Sequence, residues 1–564
     1  MLVIKNLTLV MTKDLRVLLE DFNFSLQPGM KAGLIGEEGN GKSALLKAIA
    51  DPASLRGYLE ITGEIITAGE IIGYLPQVLP EQFLDCSTRE YFVSRVNTTD
   101  FDYALYYRLL DEMSFPEDRI SESIHMRQLS GGEKIKLQLL CAMLKEPTVL
   151  LLDEPSNDLD LESVKWLEGF IRRAKVPMIF VSHDELLLDR CANTIIHLEQ
   201  LMRKRKPQYS IARLGYGEYV KNREDRITKQ MRVAQKEKEE FAAKLERYRQ
   251  IYQRVQHELR TVSRQDPSMG KNLKDKMHTV KALGKRLERE KGQLTKRPDY
   301  EESITVRFDT DITIPRGKVI VDLHKEPLQA GECILSRSVR LRITGPQKVC
   351  IVGANGAGKT TLLRCILQEL AARGMNYGYM PQDYTEYMDP EQSAVEFLMR
   401  RGTKEEVTTI RTYLGSMNFT AQEMDHALAE LSGGQRAKLY FSKMILDRAE
   451  ILVLDEPTRN LSPLSGPEIR TALKAFGGCI IAVSHDRKFI GEVFDQVVLA
   501  CSPQEASRLV AGSGVGTAAA AQWVAQADAL RFEAITTVYA SMGCATVAQT
   551  PLAQPMLALR PGAG

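Results

Sequence analysis

The feature that most constrains this chain is an internal repeat. GEEGNGKS begins at Gly36 and GANGAGKT at Gly353; LSGGE begins at Leu129 and LSGGQ at Leu431. VLLLDEPSNDLD begins at Val149 and ILVLDEPTRNLS at Ile451; VSHDE begins at Val181 and VSHDR at Val483. Ser130, Glu154 and His183 recur as Ser432, Glu456 and His485, each 302 residues further on. One offset shared by three separated motifs means two copies of one domain. A chain of 564 residues holds both copies and leaves room between them.

Each motif brings its own chemistry. The runs Gly36, Glu37, Glu38, Gly39, Asn40, Gly41, Lys42, Ser43 and Gly353, Ala354, Asn355, Gly356, Ala357, Gly358, Lys359, Thr360 (with Thr361 following) are phosphate-binding loops. Each follows a strand-like stretch, Lys31–Ile35 or 349–352, and opens a helix-like one. Glycines let backbone N–H groups close around phosphates, and the helix N-terminus adds favourable partial charge. Lys42 and Lys359 are expected on the β- and γ-phosphates, with Ser43 and Thr360 on Mg²⁺. The apolar runs before Asp153–Glu154 and Asp455–Glu456 read as buried strands that deliver carboxylates at their C-terminal ends. Asp153 and Asp455 are expected to hold the metal, and Glu154 and Glu456 to polarise an attacking water.

Ser130, Gly131 and Gly132, like Ser432, Gly433 and Gly434, form a turn and a helix cap when taken alone. Their placement 24 residues before the acidic pair in both copies points instead to a γ-phosphate contact. Gln77 and Gln382, between loop and signature, supply neutral amides for Mg²⁺ or the water. His183 and His485 lie 29 residues beyond Glu154 and Glu456, each after a short apolar strand. Two acidic residues in the first loop, Glu37 and Glu38, should weaken ATP binding unless they point outward. No aromatic is placed to stack on adenine before either loop.

The connector differs in kind. Residues 218–297 carry 23 Lys/Arg and 12 Asp/Glu, a net +11, so the rest of this +2 chain carries −9. Ile227, Met231, Ala234, Phe241, Leu245, Tyr248, Tyr252, Val255 and Leu259 follow a 4-3 spacing broken at Lys238. Leu273, Met277, Val280, Leu287 and Leu294 continue it after an interruption. That is a coiled-coil seam on two helices. The interruption at 263–272 contains Pro267 and Gly270, which stop helices. An antiparallel hairpin follows, with Arg264, Gln265, Asp266, Pro267, Ser268, Met269, Gly270 and Lys271 at its tip. A basic rod of this kind fits a nucleic-acid partner, and charge alone does not choose RNA over DNA.

Nine scattered cysteines without a C-x-x-C pair argue for a reducing, cytoplasmic setting. The start, MLVIKNLTLV, alternates like a strand and lacks the apolar core of a secretory signal. Up to residue 500 no apolar run approaches the ~18–20 residues needed to span a bilayer. Residues 509–527 carry no charge but are rich in Ala and Gly. The tail at 501–564 has no assignable motif and is expected to be disordered or atypical.

These motifs, in this order and twice, resemble the ATP-binding cassette family. Two cassettes joined by a basic helical hairpin resemble its ABC-F subfamily, and EPTRNLSPLS from Glu456 resembles the second cassette of antibiotic-resistance members. The resemblance implies an α/β fold: two tandem P-loop nucleotide-binding domains, at 1–217 and 300–500, joined by an antiparallel α-helical coiled-coil hairpin at 218–299. It implies ATP and Mg²⁺ as cofactors. The implied partner is the ribosome, with the hairpin near large-subunit rRNA and the P-site tRNA. It further implies a monomer with intramolecular cassette pairing and no stable transmembrane partner. Head-to-tail closure would combine Lys42, Ser43, Gln77, Glu154 and His183 with Ser432 and Gly434. The second site would combine Lys359, Thr360, Gln382, Glu456 and His485 with Ser130 and Gly132. A general translation factor without drug protection, or a DNA-associated ATPase, are the alternatives.

Overall fold

The computed structural model describes residues 1–67, 69–96, 101–157, 159–201, 206–261, 267–293, 308, 311–330, 333–336, 339–417, 419–459, 461–501 and 536–541. Two compact units emerge: Met1–Tyr216 with Glu301–Gly564, and Gly217–Tyr300.

In the first copy the strands are β1 (Val3–Met11), β2 (Val17–Ser25), β3 (Lys31–Ile35), β4 (Leu59–Ile66), β5 (Ile72–Leu75), β6 (Val149–Leu152), β7 (Met178–Val181), β8 (Thr194–Gln200) and β9 (Lys206–Ala212). An antiparallel sheet runs β2-β1-β4, and a six-stranded sheet runs β5-β6-β7-β3-β8-β9. Pairing is parallel from β5 to β8, and β9 closes the edge antiparallel. Every residue of β6 (VLLL) and β7 (MIFV) is buried. Strands of a parallel sheet are covered on both faces, so their sequence is continuously apolar. The helix Lys42–Ala50 seats Leu45, Leu46 and Ile49 in one core with Leu34, Leu151, Ile179 and Ile196.

This strand order creates the site. Adjacent strands β6, β7 and β3 run parallel, so their C-terminal ends share one edge. Asp153–Glu154 leave β6, Ser182–His183 leave β7, and the phosphate loop leaves β3. Residues far apart in the chain therefore meet at the edge where open α/β sheets bind ligands.

The second copy repeats the plan with β10 (Val319–Lys325), β11 (Leu328–Ala330), β12 (Cys333–Ser336), β13 (Val339–Thr344), β14 (Lys348–Val352), β15 (Tyr377–Met380), β16 (Ile451–Asp455), β17 (Cys479–Val483), β18 (Gln496–Cys501) and β19 (Thr536–Ser541). Its main sheet runs β15-β16-β17-β14-β18-β19. Within the segment expected to be disordered or atypical, Thr536–Ser541 pairs antiparallel with β18, the edge position that β9 holds beside β8. Residues 502–535 and 542–564 lie outside the described residues.

The unit Gly217–Tyr300 contains the helix Tyr216–Thr261, of 46 residues, and the helix Pro267–Gln293, of 27. Ala234, Phe241, Val255, Leu273, Val280 and Leu287 of the expected seam are buried, whereas Met231 is exposed. Lys244 is ion-paired with Glu290, and Tyr248 lies against Gly284. One expectation changes. Pro267 begins the second helix instead of breaking it, and Gly270 continues it. Proline fits there because the first helical N–H has no intrahelical partner. Arg264, Gln265 and Asp266 of the expected tip lie outside the described residues; Pro267, Ser268, Met269, Gly270 and Lys271 are helical in backbone.

The two copies meet through a buried ionic cluster. Arg470 of the second, 4 % exposed, binds Glu185 of the first at 2.5 Å and its own Glu492 at 2.7 Å. Arg487 reaches Glu168 at 3.0 Å and Asp184 at 3.2 Å, and Lys488 reaches Glu185 at 2.9 Å. Acidic groups come from the first copy and their cationic partners from the second, apart from Glu492 within the second and Arg190, which also holds Glu168.

Candidate active site

Two residues of each phosphate loop show why glycine is required. Gly41 and Gly358 start their helices at φ +89° and +86°, where a side chain is strained. A Cβ at Gly36 or Gly353 would strike the backbone oxygen of Leu198 or Ala500. Lys42 Nζ donates to the carbonyls of Gly36 (2.9 Å) and Glu37 (3.1 Å), and Lys359 Nζ to those of Gly353 (2.8 Å) and Ala354 (2.9 Å). Asn40 departs from expectation: its side chain is fully buried and donates to Leu198 O at 3.0 Å, so it braces the loop.

Ser43 Oγ donates to Asp153 Oδ1, and Thr360 Oγ1 to Asp455 Oδ2, both at 3.0 Å. Asp153 Oδ2 is buried without a hydrogen-bond partner among the described residues. Burial, followed in the first copy by the neighbouring Glu154, raises the Asp153 and Asp455 carboxyls to about 6. A hydroxyl, a carboxylate and an orphaned carboxylate oxygen fit Mg²⁺, which takes few protein ligands and completes its shell with phosphate and water. No cluster of three His, Cys, Asp or Glu suited to a metal occurs among the described residues, consistent with that sparse donor set.

Glu154 and Glu456 share an unusual backbone, φ +50° and +52°. Holding a glutamate there costs about 1–3 kcal/mol, so both are held in place by what surrounds them. Their surroundings then diverge. Glu154 accepts from Gln77 Nε2 at 2.9 Å and Asn157 Nδ2 at 2.5 Å, and contacts His183 Nε2 at 3.1 Å. Burial pushes its carboxyl up, but His183, then Lys42 and Asn157, outweigh it and hold the group down at about 2. The other ring nitrogen, His183 Nδ1, lies 2.6 Å from Leu461 O of the second copy. Both ring nitrogens of His183 therefore face oxygens, one from each copy.

Glu456 accepts only the His485 backbone N–H, at 3.2 Å, while its Oε1 and His485 Nδ1 find no hydrogen-bond partner among the described residues. The His485 ring stands off at 3.7 Å. Arg459 occupies the position matching Asn157. Burial, then Asp455, lifts the Glu456 carboxyl to about 8; burial, then Lys359, lowers His485 to about 4.

The two expected composite sites come together only in part, and Gly434 does not line the first cavity. Lys42, Ser43, Gln77, Glu154 and His183 line one cavity of about 1580 Å³ with Ser432 of the second copy. Lys359, Thr360, Thr361, Gln382, Glu456 and His485 line another of about 750 Å³ with Gly131 of the first. Ser130 Oγ donates a hydrogen bond to Glu133 Oε2 at 2.8 Å, Gly132 lies against Ser163, and neither lines that cavity. The acidic pair of the first loop points across the interface. Glu38 accepts from the backbone N–H groups of Gly433 (3.0 Å) and Gly434, and Glu37 from Ser465 Oγ at 2.7 Å.

Sequence reasoning missed Asn157, Leu461 and Ser465. Leu18 lies against Gly41 and Leu335 against Gly358. Asn157 was legible as the third residue beyond Glu154. Leu461 acts through its carbonyl, which any side chain could carry.

Twin parallel sheets, each with a phosphate loop, a Ser-Gly-Gly helix start and an Asp-Glu strand end, define an ATP-binding cassette ATPase. A family model described as ABC transporter matches residues 19–157 and 336–459. The chain belongs to the ATP-binding cassette family, and its similarity over most of its length is to ABC-F proteins. It is 26% identical over 530 residues to the probable ATP-binding protein YheS of Escherichia coli K12, spanning 87% of this chain and 78% of that protein. With human ATP-binding cassette sub-family F member 3 it shares 29% over 520 residues, 84% of this chain and 68% of the other. Ribosome protection protein VmlR of Bacillus subtilis is 29% identical over 495 residues, covering 83% and 81%. A solved complex of archaeal ribosomal stalk protein aP1 with ribosome recycling factor aABCE1 matches in fold, with TM-score 0.54 at 18% identity, over 88% of this chain and 87% of the matched one. No helix among the described residues is long and apolar enough to cross a membrane.

Proposed function

We propose that this ATPase binds the ribosome when its cassettes are closed on ATP, and that residues 218–299 act as an antiparallel coiled-coil hairpin that displaces tRNA and drug near the peptidyl-transferase centre. One observation supports this most: residues 218–297, where the two long helices lie, carry a net +11, and in the chain they join two copies that build two nucleotide sites. At 1.5 Å per residue the longer helix extends about 69 Å. Lysines and arginines along it attract RNA phosphates without reading sequence, and steric reach then does the work. The similarity to a protein named for ribosome protection supports the same reading.

When bound, ATP would supply the phosphoryl group and Mg²⁺ would offset its charge. Lys42 and Lys359 would hold phosphate oxygens. Asp153 with Ser43, and Asp455 with Thr360, would hold the metal. Glu154 and Glu456 take the proton of the attacking water, which Gln77 and Gln382 orient, and His183 and His485 steady the developing charge. Ser432 and Gly434 complete the first site, and Gly131 the second. Phosphoryl transfer depends chiefly on positioning and charge, so a site split between cassettes is switched by closure.

The test is chemical probing of 23S rRNA with the Glu154→Gln/Glu456→Gln chain and ATP. Bases around the peptidyl-transferase centre should become protected, and deleting Gln265–Gly270 should remove that protection while ATP binding persists. Unaltered reactivity with ATP bound would overturn the reading. Drug protection is checked separately, by inhibitory concentrations of lincosamides, pleuromutilins, streptogramin A and phenicols in a sensitive host. A rise supports it, and unchanged values favour a general translation factor.

A further inference from the structure

The first phosphate loop carries its own anion. Glu38 stands where the second copy has Asn355, and both oxygens of its carboxylate accept backbone N–H groups of the opposite signature: Oε1 from Gly433 at 3.0 Å, Oε2 from Gly434. Those amides open the helix Gly433–Leu446, and the first N–H groups of a helix have no intrahelical acceptor. An oxyanion with two oxygens on two such amides is bound as a phosphate would be, by directed N–H groups and the positive end of the helix. Glu37 reinforces the seat by accepting from Ser465 Oγ at 2.7 Å, and Ser465 is fully buried. Lys42 is turned to the carbonyls of Gly36 and Glu37 and does not neutralise Glu38.

We infer that Glu38 sets the nucleotide selectivity of the first site by competing with the γ-phosphate of ATP for the Gly433 and Gly434 amides. ADP lacks the competing group and enters with Glu38 in place. ATP must displace the carboxylate, and its affinity at this site is reduced relative to ADP. The second site, with Asn355 at the matching position, has no such charge. This rests on the proposed reading that the second signature meets the γ-phosphate at the first site, and is independent of the ribosomal one.

The test uses the full chain with Lys359→Ala, so that the first site dominates the titration, and follows binding of fluorescent N-methylanthraniloyl ATP and ADP with Mg²⁺. Glu38→Asn copies the second loop, and Glu38→Gln keeps the length and one acceptor without the charge. Charge-assisted hydrogen bonds are roughly twice as strong as neutral ones, so both variants should bind ATP about ten-fold tighter. Their ADP affinity should stay within about two-fold of the parent, the size of a screened surface charge effect. Equal tightening of ATP and ADP would mean that Glu38 acts only as a nearby negative charge, and would overturn the inference. Unchanged ATP affinity in Glu38→Gln, with normal melting behaviour, would overturn it as well.

Discussion

At the scale of single residues, the two candidate bases look interchangeable in sequence and differ in the fold. Glu154 is pinned by Gln77, Asn157 and His183, whereas Glu456 is buried with one oxygen unsatisfied. The difference has a sign. The Glu456 carboxyl is lifted from 4.5 to about 8, so its contribution to stability falls as pH rises across that interval. Glu154 is held at about 2, so its contribution is present above 4.5 and is lost as pH falls toward 2. In protein without nucleotide at pH 7, Glu456→Gln should leave the melting temperature unchanged or raised. Glu154→Gln should cost about 1–3 kcal/mol, because it disturbs a buried hydrogen-bonded charge. Thermal melts of the two single variants check this; equal losses would contradict it. Each change should slow phosphate release about 10²–10⁴-fold at its own site, the usual worth of a positioned acid or base. The paired motifs were legible because their chemistry demands particular side chains at fixed spacing. The divergence was not, because it depends on a backbone carbonyl from Leu461 and on which way Asn157 and Gln77 turn.

At the scale of elements, the parallel strands were readable because burial on both faces leaves an unbroken apolar run, as in VLLL and MIFV. The two long helices were readable from their 4-3 spacing, and Ala234, Phe241, Val255, Leu273, Val280 and Leu287 of that spacing are buried. The helix start at Pro267 was misread, since proline breaks a helix interior but suits its first turn. Strand β19 was missed because 502–564 matches no motif of the repeat, and TTVYAS is a short run within an Ala-rich stretch. Phe241 is the largest buried side chain on the seam. Phe241→Ala should destabilise this unit by about 3 kcal/mol through the cavity it leaves. Hydrogen exchange should therefore accelerate across 217–293 and stay unchanged in β3 and β7; uniform acceleration would show that the unit is not independently held.

At the scale of the molecule, two cassettes are tied by charges that water barely reaches. Arg470 is paired with Glu185 and Glu492, and its guanidinium is driven further toward the charged form by those carboxylates against the opposing effect of burial. Breaking one side of a buried pair leaves an uncompensated charge. Arg470→Met should therefore cost about 3–5 kcal/mol, and adding Glu185→Gln should return part of that loss. Denaturant melts in a double-mutant cycle measure the coupling, and strict additivity would show that the pair is inert. The cluster was not read from sequence: Asp184, Glu185 and Arg487 stand in the repeated VSHD motifs, but their partners lie about 300 residues away and nothing in the spacing pairs them.

The proposed function has nucleotide state controlling whether the basic helical unit engages the ribosome. The most direct measurement is co-sedimentation of the Glu154→Gln/Glu456→Gln chain with large ribosomal subunits at modest ionic strength, comparing ATP with ADP. Retention with ATP and release with ADP is the predicted result. A chain that binds Mg²⁺–ATP normally yet stays in the supernatant with both nucleotides would contradict the account.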